Sequence, residues 1–247
     1  MSAGIIAVTL AAFATALATG LGAAPFVFVR GMSRRWLGMS NAIAPGFMLS
    51  ASGALLIEGL IRGVGRVLAG AGVGALFIAA THRAIATRED LHLGRLKAVD
   101  ATKAILIIAV MTLHSFSEGV GIGVSYGGGA ELGVFITIAI AIHNIPEGLA
   151  VSLVLVPRGA SVRAAAGWSI FSSLPQPLVA PLAYVFVEQV RPFLPAGLGF
   201  AAGAMAWLAF TELLPDARAE LETPSLAAWL GGSLAVMSLL QALLLAH

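Results

Sequence analysis

The sequence predicts an all-α polytopic membrane protein with eight transmembrane helices in a 3+2+3 inverted-repeat arrangement. Three observations carry that expectation. Of 247 residues, 59% are hydrophobic and only 11% charged, with a mean hydropathy of +0.96. The apolar residues fall into long runs separated by short charged loops, as in polytopic helical membrane proteins. The few polar residues inside those runs recur in matching places, which points to internal repetition.

The expected spans are 4–29, 37–61, 64–82, 104–126, 131–156, 161–187, 193–214 and 224–246. Each can cross ~30 Å of hydrocarbon, some with tilt. The first lacks a basic region ahead of its apolar run, so it reads as a retained span rather than a cleaved signal. It stops at the Arg30, Arg34 and Arg35 cluster. The second and third are separated near Arg62, and the third is short, rich in glycine and crowded by Arg66. The longest polar stretch, 82–103, reads as a loop. His82 and His92 lie in it and suit a solvated position. The fourth span stops at Gly127-Gly128-Gly129 and the fifth at Pro157-Arg158-Gly159. The sixth carries Ser172, Ser173, Pro175, Gln176, Pro177 and Pro181, the signature of a broken helix lining a cavity. Arg191-Pro192 ends it, and Pro215 to Pro224 separates the last two spans. Met48, Met111 and Met205 suit packing, and Trp36, Trp168, Trp207 and Trp229 suit interface anchoring.

Basic residues set the orientation. With the N-terminus outside, the inner loops hold eleven of them: Arg30, Arg34, Arg35, Arg83, Arg88, Arg95, Lys97, Lys103, Arg158, Arg163 and Arg218. The outer loops hold Arg62, Arg66 and Arg191. Both termini are therefore expected on the outer, periplasmic side. Gly46-Phe47 followed by Glu58 in the second span matches Gly199-Phe200 followed by Glu212 in the seventh. The division is then 1–82 for a first three-helix unit, 104–156 for a central pair and 161–246 for a second three-helix unit, all one transmembrane domain. Glu58 and Glu212 read either as solvated helix ends or as relay carboxylates on a cation path. The chain has no cysteine, so disulfides and thiolate metal sites are excluded.

The central pair carries the chemistry. The fourth span reads His114-Ser115-Phe116-Ser117-Glu118-Gly119 and the fifth His143-Asn144-Ile145-Pro146-Glu147-Gly148. Four-residue spacing puts His and Glu on one helix face in each. Ionisable groups inside a membrane are costly and usually functional. Two imidazoles and two carboxylates suit a divalent first-row metal, and two carboxylates balance one dication. Pro146 removes a backbone donor opposite the Ile142 carbonyl, beside His143. Ser115, Asn144 and Gln176 can add neutral oxygens or outer hydrogen bonds. Gly119, Gly121, Gly123 and Gly148 allow close helix approach.

These motifs resemble the ZIP (Zrt/Irt-like) family of divalent-metal transporters, and most closely its bacterial GufA-like branch. The resemblance covers the whole chain. It implies transport of zinc, with cadmium, iron, manganese, cobalt or nickel as further candidates, into the cytoplasm by alternating access. It implies a site between the fourth, fifth and sixth spans, with His114, Glu118, His143 and Glu147 as the primary ligands. The sequence departs from the family at Ser115 and Ser117, where Asn and Pro are usual. It departs again at Gln176, where a Glu usually serves a second, adjacent metal. That second position keeps Ser115, Asn144 and Gln176 with the shared Glu118 and Glu147, so one dication is expected. The expected setting is a multi-pass protein of the bacterial inner membrane. Its partners would be metal ions and lipid, with no organic cofactor and no nucleic acid, and a homodimer is one open arrangement. An intramembrane metalloenzyme is the competing class; no His-Glu-x-x-His motif or further base supports it. A membrane metal sensor is a third, and no soluble output domain speaks for it.

Overall fold

The computed structural model describes residues 2–29, 34–86 and 98–245. His92, Arg88, Arg95 and Lys97 from the expected long loop fall outside them. The described residues form helices α1 (Ser2–Gly20), α2 (Pro25–Phe28), α3 (Arg34–Ala86), α4 (Ala98–Gly128), α5 (Ala130–Leu155), α6 (Val162–Ser173), α7 (Pro175–Gln189), α8 (Leu194–Leu208), α9 (Leu214–Glu220) and α10 (Thr223–Leu245), with short 3-10 or π turns between some of them. No strand occurs among the described residues. The helices are apolar on their outer faces as well as within. Ile6, Leu10, Leu76, Leu178 and Leu182 are each more than half exposed. The fully buried positions of α1 are instead small or short: Val8, Ala12, Thr15 and Ala16. Large apolar groups facing out and small groups facing in is the pattern of helices packed in lipid. The chain is a polytopic helical membrane protein.

Two helices run on further than expected. α3 continues to Ala86 and α4 starts at Ala98, so the polar 82–103 segment is partly helical. Alanines at 84, 86, 98 and 101 favour this, and a helix end can extend beyond the hydrocarbon into water. Within α3 the apolar stretch Gly38–Thr81 covers 44 residues. Run straight, it would be roughly 66 Å long, twice the hydrocarbon thickness. It does not run straight: Gly63 leaves helical geometry at φ 163° and ψ 97°. A Cβ on Gly59 would lie 2.4 Å from the Val67 side chain, a contact that only a chain turning back on itself can make. The segment before Gly63 packs on α9 and α10 through Gly38 and Gly46, and the segment after it packs on α8 through Gly70 and Gly74.

α4 and α5 are joined by Gly129 alone, at φ 147°, a conformation that favours glycine. His114 lies fourteen residues before the end of α4 and His143 thirteen after the start of α5. Both histidines therefore sit at one depth, about 20 Å from the turn. Two arginines fasten that turn: Arg62 donates to the Gly128 carbonyl at 3.1 Å and Arg191 to the Gly127 carbonyl at 2.8 Å. Cations at a helix C-terminus satisfy its orphan carbonyls and complement its dipole.

Helix contacts here are close backbone approaches. A Cβ on Gly203 would lie 2.1 Å from the Ala71 carbonyl oxygen, whereas one on Gly72 would meet nothing within 4 Å among the described residues. Gly203→Ala is therefore expected to destabilise the protein by about 1–3 kcal/mol, as overpacking does, and Gly72→Ala to leave it unchanged or slightly firmer. Thermal unfolding in detergent micelles measures both.

Candidate metal centre

Three close approaches build the centre. On α4, Gly119, Gly123 and Gly127 form a stripe at four-residue spacing that lies against α7. Added Cβ atoms there would fall 3.0 Å from the Gln176 backbone, 2.1 Å from the Ala180 carbonyl and 2.3 Å from Val187. The constant offset of 57 between 119 and 176 and between 123 and 180 means that α4 and α7 run in the same direction. That stripe brings Gln176 beside Glu118. On α5, a Cβ on Gly148 would fall 1.7 Å from the Thr19 carbonyl of α1. One turn earlier on both helices, Thr15 meets Asn144. The third approach is the α4–α5 hairpin itself.

His114, Glu118, His143 and Glu147 converge, and one ligand atom from each lies within 4.8 Å of the others. All four are buried. The pairing crosses between helices. His114 Nε2 is 2.9 Å from Glu147 Oε1, and His143 Nε2 is 2.5 Å from Glu118 Oε1. Within α4, His114 Nε2 and Glu118 Oε1 are 3.4 Å apart. A tetrahedral cation with bonds of about 2.0–2.2 Å needs donors roughly 3.3 Å apart. Small shifts would bring these atoms to that spacing.

Gln176 joins the group: its Nε2 donates to Glu118 Oε2 at 2.6 Å. Its Oε1 faces the Thr15 hydroxyl at 2.5 Å and Asn144 Nδ2 at 3.4 Å. Asn144 Nδ2 also donates to the Thr15 carbonyl at 3.0 Å. Asn144 Oδ1 and the Nδ1 atoms of both histidines are buried without a hydrogen-bond partner among the described residues. Ser115 is buried next to His114, and no described hydrogen bond ties it to the other four. Ser117 turns back to the His114 carbonyl at 2.7 Å. α5 stays helical through Pro146, while the span expected at 161–187 breaks at Leu174, between Ser173 and Pro175. The polar seam continues along α1 as Thr19 meets Ser173 at 2.8 Å.

The carboxylates outside the hairpin lie elsewhere. Glu58 is ion-paired with Arg62 and lines a cavity of about 480 Å³ with Glu131 and Gln241. Glu212 sits half-buried in a π turn, Ala209–Leu213, just ahead of Pro215. Neither belongs to the four-residue group. Met48, Met111 and Met205 are buried packing residues, and the four tryptophans are each partly exposed. Thr15 and Thr19 were not singled out by motif spacing. Their signal was there nonetheless: two hydroxyls one turn apart on the small-residue face of an apolar helix.

Fold and cluster together define a class: a polytopic helical membrane protein with a buried His/Glu group whose donors suit a divalent cation. Comparison with known proteins agrees. The family described as ZIP Zinc transporter matches residues 79–189. Zinc transporter GufA of Myxococcus xanthus is 32% identical over 230 residues, covering 87% of this chain and 89% of that protein. A putative zinc transporter of Arabidopsis thaliana is 46% identical over 239 residues, 96% of this chain. Zinc transporter ZIP11 of Xenopus tropicalis is 34% identical over 146 residues, 56% of this chain. This chain spans 38% of the length of the Arabidopsis protein and 43% of the Xenopus one. The chain belongs to the ZIP zinc transporter family, on its GufA-like side.

Proposed function

We propose that this protein carries divalent cations, zinc foremost, across a membrane into the cytoplasm by alternating access at the α4–α5 centre. The observation that carries the reading is the convergence of His114, Glu118, His143 and Glu147 in a buried position. The names of the relatives point the same way. The four residues are the primary ligands, and Asn144 and Gln176 are outer or weak ligands. Ser115 contributes least. Two neutral imidazoles and two carboxylates leave a charge of −2, which one dication balances. Zinc is favoured by this ligand set and by the family, with cadmium, iron, manganese, cobalt and nickel as weaker candidates. No organic cofactor and no enzymatic step enters this reading.

The proposed architecture has eight crossings in a 3+2+3 inverted repeat, with α3 supplying the second and third. Support comes from paired contacts. Gly46 of the second crossing would meet the Leu230 carbonyl of α10 at 2.6 Å, and Gly199 of α8 would meet the Val67 carbonyl of the third crossing at 2.1 Å. Exchanging the second crossing with the seventh, and the third with the eighth, maps one contact onto the other. The distribution of basic residues favours both termini outside. The bacterial inner membrane is the setting that the GufA likeness suggests.

Zinc uptake into proteoliposomes, with bound metal counted on the same protein, tests the function. Glu147→Ala is expected to weaken zinc binding more than roughly 100-fold, beyond the range that outer partners command. Uptake like wild type would move the site elsewhere. Wild-type protein is expected to hold one central dication, and Gln176→Glu to recruit a second by adding a negative charge. Two fully occupied central ions in wild type would contradict the charge balance. Acidification should weaken binding, because ligand imidazoles and carboxylates must release protons to hold metal. Single cysteines at Ala86 and Gly128 should be labelled from opposite faces of the membrane.

A further inference from the structure

The hydroxyl of Thr15 has more acceptors than protons. Its Oγ1 lies 2.7 Å from the Ala12 carbonyl and 2.5 Å from Gln176 Oε1. A threonine hydroxyl has one proton to donate and lone pairs that accept. Two hydrogen-bond arrangements therefore satisfy the Thr15 hydroxyl. In the first, Thr15 donates to Gln176 Oε1, and the Gln176 NH₂ group donates to Glu118 Oε2 at 2.6 Å. In the second, Thr15 donates to Ala12 and accepts from the Gln176 NH₂ group. The amide has then turned over, and its carbonyl oxygen faces the centre beside Glu118. A carbonyl oxygen against a carboxylate is repulsive unless a cation lies between them. The 3.0 Å bond from Asn144 Nδ2 to the Thr15 carbonyl survives in both arrangements. The 3.4 Å contact of Asn144 Nδ2 with Gln176 Oε1 becomes a contact between two NH₂ groups, a cost that coordination of a cation by the turned oxygen must offset. Gln176 and Thr15 are both fully buried.

We infer that Thr15 is a positioning residue that lets Gln176 turn its amide. The amide changes from a donor that holds Glu118 to an oxygen directed at the bound cation. This rests on the transport reading above and adds a residue from α1 to it. Neither Val nor Ala could serve, since the position must both donate and accept. Serine could.

The test uses zinc uptake and zinc binding by the full protein in proteoliposomes. Thr15→Val is expected to raise KM and Kd for zinc about fivefold to tenfold, the loss of one buried hydrogen bond, with Vmax within about twofold of wild type. Thr15→Ser is expected to behave as wild type. In a Gln176→Leu background, Thr15→Val should add nothing, because Thr15 acts through Gln176. An equal loss in both backgrounds would mean that Thr15 only packs α1, and would overturn the inference. An unchanged KM in Thr15→Val would do the same. Zinc-induced infrared difference spectra on wild type need no Thr15 variant. A glutamine carbonyl band should shift on zinc binding and be missing from Gln176→Leu. Normal zinc binding with no such shift overturns this inference alone. Wild-type vesicles that neither bind nor carry zinc overturn the transport reading as well.

Discussion

The structure depends on placing two carboxylates, Glu118 and Glu147, together in the buried interior. Each buried charge would cost several kcal/mol in isolation, and two together repel. The protein meets that cost with opposed partners. Each glutamate faces the histidine of the other helix, at 2.5 Å and 2.9 Å. The Gln176 amide takes up a remaining oxygen of Glu118. These hydrogen bonds are made by the same nitrogen and oxygen atoms that could bind a dication, so a cation entering the cluster would take the place of the shared protons.

Everything around the cluster serves its placement. A four-residue His-to-Glu spacing aligns donors along one helix, and a one-residue turn aligns the two helices in depth. Glycines then remove the side-chain volume that would hold α7 and α1 away. Gly119 and Gly123 admit the Gln176 helix, and Gly148 admits the Thr19 carbonyl. Membrane helices gain little from burying apolar surface against one another, since lipid is equally apolar. Contacts between backbones and hydrogen bonds along the Thr15–Gln176–Glu118 line supply what that term does not.

Much of this was legible in the sequence because its signals are local. The membrane class follows from composition, and the His/Glu faces follow from helical period. The broken sixth span followed from its serines and prolines, and the structure breaks it at Leu174. The close-approach role of Gly119, Gly123 and Gly148 was readable from their clustering. What was not legible depends on how distant segments register. Thr15 lies 161 residues from Gln176 and has no motif around it. Nor could spacing alone assign Arg62 and Arg191 to the end of α4, since they come from two distant parts of the chain. Hydropathy alone assigns the polar 82–103 segment to a loop, whereas α3 and α4 reach into it. Hydropathy reports where lipid ends rather than where a helix ends.

The single-residue connection at Gly129 also limits how the protein can work. A turn that short, held by two arginines on consecutive carbonyls, leaves α4 and α5 no slack to slide past each other. The two halves of the cluster are thus kept in register whatever the rest of the molecule does. A cation held between them would change its exposure only if the hairpin travels as one piece or if the helices beside it part. The binding geometry and the route to it are in this way separate mechanical problems, solved by different parts of the chain.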